Sequence, residues 1–174
     1  MGNNKRKVSD SMGTLEVSEG ALYGAQTQRA VQNFPISGLK MPKEFILALV
    51  EIKKAASVAN NELGCLATEV SEAICAACET LIADPDLLVH FPVDVFQTGS
   101  GTSSNMNANE VIANLASKYA KTPVSPNDDV NMSQSSNDVI PTAIKVSAHM
   151  DLTKKLYPAL DKLLNEIEKK AKSV

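Results

Sequence analysis

PKEFILALVEIKKAASVANNELG, residues 42 to 64, decides the fold class. Phe45, Ile46, Leu49, Ile52, Ala56, Ala59 and Leu63 recur at three- and four-residue spacing, which lines one face of an α-helix. Pro42 suits a first helical position and Gly64 supplies a stop. A second helical stretch follows over 68–83, with Val70, Ile74, Ala77, Cys78 and Leu81 on one side and Asp84-Pro85 as its end. Two such amphipathic segments joined by a short glycine turn predict a helical hairpin.

Upstream, residues 1 to 40 show no helical periodicity. A short extended candidate over 13–17 predicts an irregular arm with a small hairpin, wrapped on the helical body. Downstream, a helix is expected over 105–120, with Ala108, Val111, Ile112, Leu115 and Tyr119 inward. Another begins near Ser135 to Asp138, all good capping residues, with Pro141 where a first turn tolerates it. It continues through Ile144, Ala148, Leu152 and Leu156, meets Pro158, which predicts a kink or break, and resumes through Leu160, Leu163, Leu164 and Ile167. Its apolar stripe is still running at Val174, so truncation or obligatory assembly is expected.

The two segments that open the later helices have an unusual composition. QTGSGTSSNMNANE (97–110) and SPNDDVNMSQSSND (125–138) concentrate Ser, Thr, Asn, Gln and Gly, which offer many uncharged donors. Each leads into a helix start, where unpaired backbone N–H groups and the positive helix end favour a carboxylate or phosphate. Two such starts predict one shared acidic ligand. For either segment alone, simpler readings also stand: Ser135 to Asn137 as an N-cap, and Asn105, Asn107 and Asn109 as solvent-facing helix residues.

Composition narrows the rest. The 174 residues are 44% hydrophobic, enough for one sizeable core. With 20 acidic against 17 basic residues and a net charge of −3, no basic face is expected for nucleic acid. No apolar run reaches membrane-spanning length, and the polar, basic start has no hydrophobic signal core; a cytoplasmic location is expected. Cys65, Cys75 and Cys78 suit a reducing compartment, and the Cys75/Cys78 pair lacks the second ligand pair a zinc site needs. Neither the adjacent Asp128 and Asp129 nor His90 and His149 fall in a pattern that predicts a metal or a catalytic role. Gln134 and Asp138 are read as structural.

QTGSGTSSNMNANEVIAN and VNMSQSSNDVIPTA closely resemble two of the three signature segments of the class II fumarases, within the aspartase/fumarase superfamily. Gly13, the LEV at 15–17, the YGAQTQR at 23–29 and the MP pair at Met41 and Pro42 are similar to that family's amino-terminal region. GSGT at 99–102 and SSND at 135–138 resemble fumarase, whereas related aspartases tend toward GAGT and STND.

The resemblance implies a mainly α fold. Residues 1–138 would form a small helical amino-terminal lyase domain with an extended arm, and 139–174 the start of the first long helix of a central bundle. It implies reversible hydration of fumarate to L-malate, no cofactor or metal, a homotetramer, and active sites assembled from three subunits. Ser100, Thr102, Asn105, Ser135, Ser136 and Asn137 would bind the substrate's carboxylates, with Gly99 and Gly101 letting the backbone approach. The family's flexible GSS loop and catalytic His segment lie beyond the matched part, so no catalytic residue is assigned here and the piece alone is expected to be inactive. A secondary anion site built on HPND in the family reads SPND here, at Ser125, Asn127 and Asp128, without the imidazole. Two other readings are an aspartate ammonia-lyase piece and a noncatalytic helical interaction module that docks partner helices on the terminal stripe.

Overall fold

The computed structural model describes residues 5–173. The expected mainly helical chain with one small sheet is what it shows. Strand β1 (Lys5–Asp10) pairs antiparallel with β2 (Gly13–Ser18), Val8 opposite Leu15 and Arg6 opposite Val17. The arm also contains a helix that the sequence pattern does not reveal, α1 (Ala25–Asn33). Its nine residues, AQTQRAVQN, carry too little apolar periodicity to signal it. Arg29 of α1 grips Asp10 through two bonds of 2.8 and 2.9 Å, and Arg6 donates to the carbonyls of Ala21 and Tyr23, so arm and hairpin form one layer.

The helical hairpin is formed by α2 (Lys43–Glu62) and α3 (Thr68–Ala83). Gly64 turns the chain at φ 71°, and the amides of Cys65 and Leu66 close onto the carbonyl of Asn60. The buried stripe of α2 departs from the expected one. Phe45, Ile46, Leu49 and Val50 are buried, but the stripe then continues through Lys53, Ser57 and Asn60, while Ala59 and Leu63 are exposed. Tertiary hydrogen bonding overrides hydropathy at those polar positions. Ser57, for example, pairs with Ser71 of α3 through bonds to both its hydroxyl and its carbonyl.

Helix α4 (Thr102–Ala116) runs through the centre of the core, and Val111 and Ile112 are fully buried beside Ile46, Leu49, Ile74 and Leu81. It starts three residues earlier than expected and ends four sooner. Ser104 N donates to Gln97 Oε1 and Ser103 N to Thr98 Oγ1, so side chains from the preceding loop hold a first turn of weak helix formers. Asn105, Asn107 and Asn109 are buried, which corrects their reading as solvent-facing residues.

Helix α5 (Ser136–Asp151) packs Val139, Ile140 and Ala143 onto α2 and α4 and passes without interruption through the 138/139 boundary. Pro141 falls in its second turn, not its first, leaving the Asn137 carbonyl without its helical donor. A wide π-type turn at Leu152–Leu156 precedes α6 (Tyr157–Lys172). This distortion sits where Pro158 removes the amide that would bond back to Lys154. Along α6 every described residue is exposed, including Leu160, Leu163, Leu164 and Ile167. No described helix is long and apolar enough to cross a membrane.

Candidate functional site

The site begins with a pinned loop. Asp94 is buried, and its carboxylate accepts the amides of Ser37, Gly38 and Phe96 and the hydroxyl of Ser37, all at 2.7 to 2.8 Å. Burial alone would push this carboxyl up. The donors from Phe96, Ser37 and Gly38 outweigh it and hold the group down at about 2. Gln97 then bridges the Asp94 carbonyl and the Ser104 hydroxyl through Nε2. Loop 97–101 is therefore anchored at both ends.

Gly101 sits at φ 71° as the cap of α4. A side chain there would carry backbone strain, and its Cβ would lie 3.0 Å from Ile140 Cγ2. That close approach brings the start of α4 against the first turns of α5. The two polar segments meet there: Thr102 Oγ1 lies 3.1 Å from Ser136 Oγ and 2.7 Å from Ser100 Oγ. Ser100, Thr102 and Ser136 thus form a continuous chain of hydroxyls across a separation of 34 residues. Ser135 caps α5, its hydroxyl accepting the Asn137 amide at 3.2 Å.

A cleft of about 590 Å³ opens beside this meeting point, lined by Gly99, Ser100, Gly101 and Asn137 together with Met41, Ile140, Pro141 and Ile144; of the expected ligands Ser100 and Asn137 line it, and Thr102, Ser135 and Ser136 do not. Two helix starts and several neutral donors converge on one concavity, an arrangement that can receive an anion.

Asn105 is placed differently from the other expected ligands. It lies behind them in the core, 2% exposed, and its Nδ2 donates to Asn131 Oδ1 at 3.1 Å. That same oxygen accepts Asn109 Nδ2 at 3.2 Å and the ammonium of Lys53 at 2.8 Å. Asn131 in turn donates to the Gln134 carbonyl, and Asn60 donates to the Met132 carbonyl, fixing a turn in which Ser133 adopts φ 60°. Burial lowers the Lys53 ammonium to about 7.

Sequence reasoning missed Lys53, Asn60, Asp94 and Asn131. Lys53 and Asn60 do continue the Ile46–Leu49 spacing, a signal that hydropathy alone masks.

At the expected secondary site the groups are committed locally. Ser125 Oγ accepts the Asp128 amide and donates to the Asp128 carboxylate, while Ser125 N donates to Asp129. Asn127 is exposed. His90 is a structural residue: its Nδ1 accepts the Leu22 amide, its carbonyl accepts Asn107, and burial lowers its pKa.

The chain matches the family described as lyase over residues 13–174. It is 55% identical over 165 residues to a class II fumarate hydratase of Pseudomonas aeruginosa, covering 95% of this chain and 36% of that protein. Among solved structures it is similar to a fumarate lyase–delta crystallin protein from Brucella melitensis, with TM-score 0.87 and 43% identity over 98% of this chain and 38% of that one. It is also similar to a class II fumarase from Schistosoma mansoni, with TM-score 0.87 and 38% identity over 93% of this chain and 35% of that one. The chain spans a little over a third of the length of these relatives.

Proposed function

This chain belongs to the lyase family, and from that premise we propose that it supplies part of the dicarboxylate site of a class II fumarate hydratase, which interconverts fumarate and L-malate. The observation that carries the reading is the join of the two polar segments, Thr102 Oγ1 to Ser136 Oγ, beside a cleft that Ser100 and Asn137 line from the two helix starts.

Proton removal beside a carboxylate leaves an aci-carboxylate with extra negative charge. Preorganised neutral donors stabilise that charge by about 3 kcal/mol for each well-placed group. Ser100, Thr102, Ser135, Ser136 and Asn137 are the proposed carboxylate ligands, with Asn105 one helical turn behind them. No residue of this chain is assigned the proton transfer. The working protein is a cytoplasmic homotetramer in this reading, with residues 1–138 as its amino-terminal domain and 139–174 opening its helical bundle.

A direct test fuses the chain to the remaining two-thirds of the Pseudomonas aeruginosa relative and compares malate dehydration with aspartate deamination. Malate turnover by the fusion, none by the 174-residue chain, and loss of turnover in Thr102→Val and Ser136→Ala are expected. Aspartate turnover would move the assignment to an ammonia-lyase, and no turnover of either kind would favour a noncatalytic helical module.

A further inference from the structure

Lys53 is fully buried near the middle of α2. Among the described residues no carboxylate lies within 4.0 Å of its ammonium. Its one hydrogen-bond partner among them is the neutral carboxamide oxygen of Asn131. A buried cation without a counter-charge is unfavourable, and it persists where surrounding dipoles or a ligand compensate it.

The surroundings are specific. Asn131 joins Lys53 of α2 to Asn105 and Asn109 of α4 and to the turn that delivers Ser135, so one oxygen collects three donors from two helices. Asn105 Oδ1 and Asn109 Oδ1 are buried without partners among the described residues, leaving acceptors around the cation that a purely apolar core would not contain. Lys53 is therefore two hydrogen bonds from Asn105, which lies one helical turn below Thr102.

Titratable neighbours are few. Cys78 of α3 acts on Lys53, but burial raises its thiol to about 12, so it is neutral. Helix α4 and the 131–134 turn present carboxamides, and the residues α5 buries, Val139, Ile140 and Ala143, are apolar.

We propose that Lys53 is a positioning residue for the anion site: through Asn131 it holds the starts of α4 and α5 in register, and its buried positive charge is matched by the dicarboxylate that binds in front of them. The charge half of this assignment rests on the dicarboxylate reading above; the register half does not. Coulomb attraction between the buried ammonium and a dianion bound in front of the two helix starts raises the affinity for that dianion. That gain exists while Lys53 is protonated and disappears as pH rises through about 7.

The experiment follows backbone amides of the full 174-residue chain by NMR from about pH 6 to about pH 9, with succinate, a non-reacting four-carbon dicarboxylate, as the probe. In the unmodified chain the amides of Thr102, Asn105 and Ser135 to Asn137 should shift together with a midpoint near 7. The step should vanish in Lys53→Met, while the β1–β2 hairpin resonances stay in place. Lys53→Gln keeps a donor to Asn131 without the charge and should also be flat, so the test does not depend on one variant folding. Succinate affinity of the fusion to the rest of the Pseudomonas aeruginosa relative should fall at least severalfold across the step and stay at the lower value in fusions that carry either variant. A step that survives in Lys53→Met, or none in the unmodified chain, overturns the assignment. If the amides shift as expected but neither the chain nor its fusion to the rest of the Pseudomonas aeruginosa relative binds succinate, the register role stands and the dicarboxylate reading fails.

Discussion

Glu110 offers the sharpest test of how the arm is held. Its carboxylate, 8% exposed on α4, accepts the amides of Gly24 and Thr27 on Oε2 at 2.9 and 3.0 Å and of Gln26 on Oε1 at 2.9 Å. These are donors at the start of α1, which has no capping side chain of its own. Glu110→Ala strands three donors. Thr27 is buried and bears the full cost, about 1–3 kcal/mol, whereas Gly24 and Gln26 are open enough for water to meet part of theirs. Adding the lost attraction between a carboxylate and a helix start, about 0.3–1 kcal/mol, gives a total of about 1–4 kcal/mol before the partial costs at Gly24 and Gln26. Glu110→Gln can keep an oxygen facing Gly24 and Thr27 while its amide meets the more exposed Gln26, so it should cost about 1–2 kcal/mol. Urea unfolding followed by circular dichroism gives both values, and hydrogen exchange at Thr27 reports whether α1 loosens first. A cost for Glu110→Ala below about 1 kcal/mol, or unchanged exchange at Thr27, would refute the reasoning.

Gly101→Ala should destabilise by about 1–2 kcal/mol through its left-handed φ and its contact with Ile140, and should cost less in an Ile140→Ala background, which removes all three contacting carbons, in thermal melts. Asp94 ionises at about 2 in the fold against 3.8 ordinarily, so its contribution is complete above about pH 4 and is lost as pH falls toward 2. Asp94→Asn should remove that acid-sensitive component from the unfolding midpoint. Lys53 behaves oppositely: at about 7 in the fold against 10.5 ordinarily, the unfolded chain holds the extra proton between those values. Stability should therefore rise with pH across that interval, by up to about 4 kcal/mol, and Lys53→Met should show no such rise in urea midpoints measured against pH.

Where local pattern and tertiary packing agree, the sequence suffices. Helix α3 runs over 68–83 as its spacing predicts, and the two polar segments expected to share a ligand do meet through Thr102 and Ser136. Helix α1 is illegible because what secures its start is a carboxylate 86 residues away from Gly24, a non-local bond that no window of sequence contains. The start of α4 lies ahead of its expected place because Ser103, Ser104 and Asn105 are poor helix formers held by Gln97, Thr98 and Asn131. Lys53 and Asn60 are hidden because apolar periodicity passes over polar side chains, while the network behind the cleft is buried and polar.

The wide turn at Leu152–Leu156 works as a ruler for the last two helices. Ile144, Ala148, Leu152, Leu156, Leu160 and Leu164 repeat every four residues, and a regular helix would let that row drift around the cylinder by about 40° at each step. One slack turn absorbs part of the drift, so the row ahead of Pro158 and the row behind it keep closer alignment. Deleting a single residue between 152 and 156 would swing everything beyond it by about 100°, leaving each helix intact but aiming the far half of the row in a new direction.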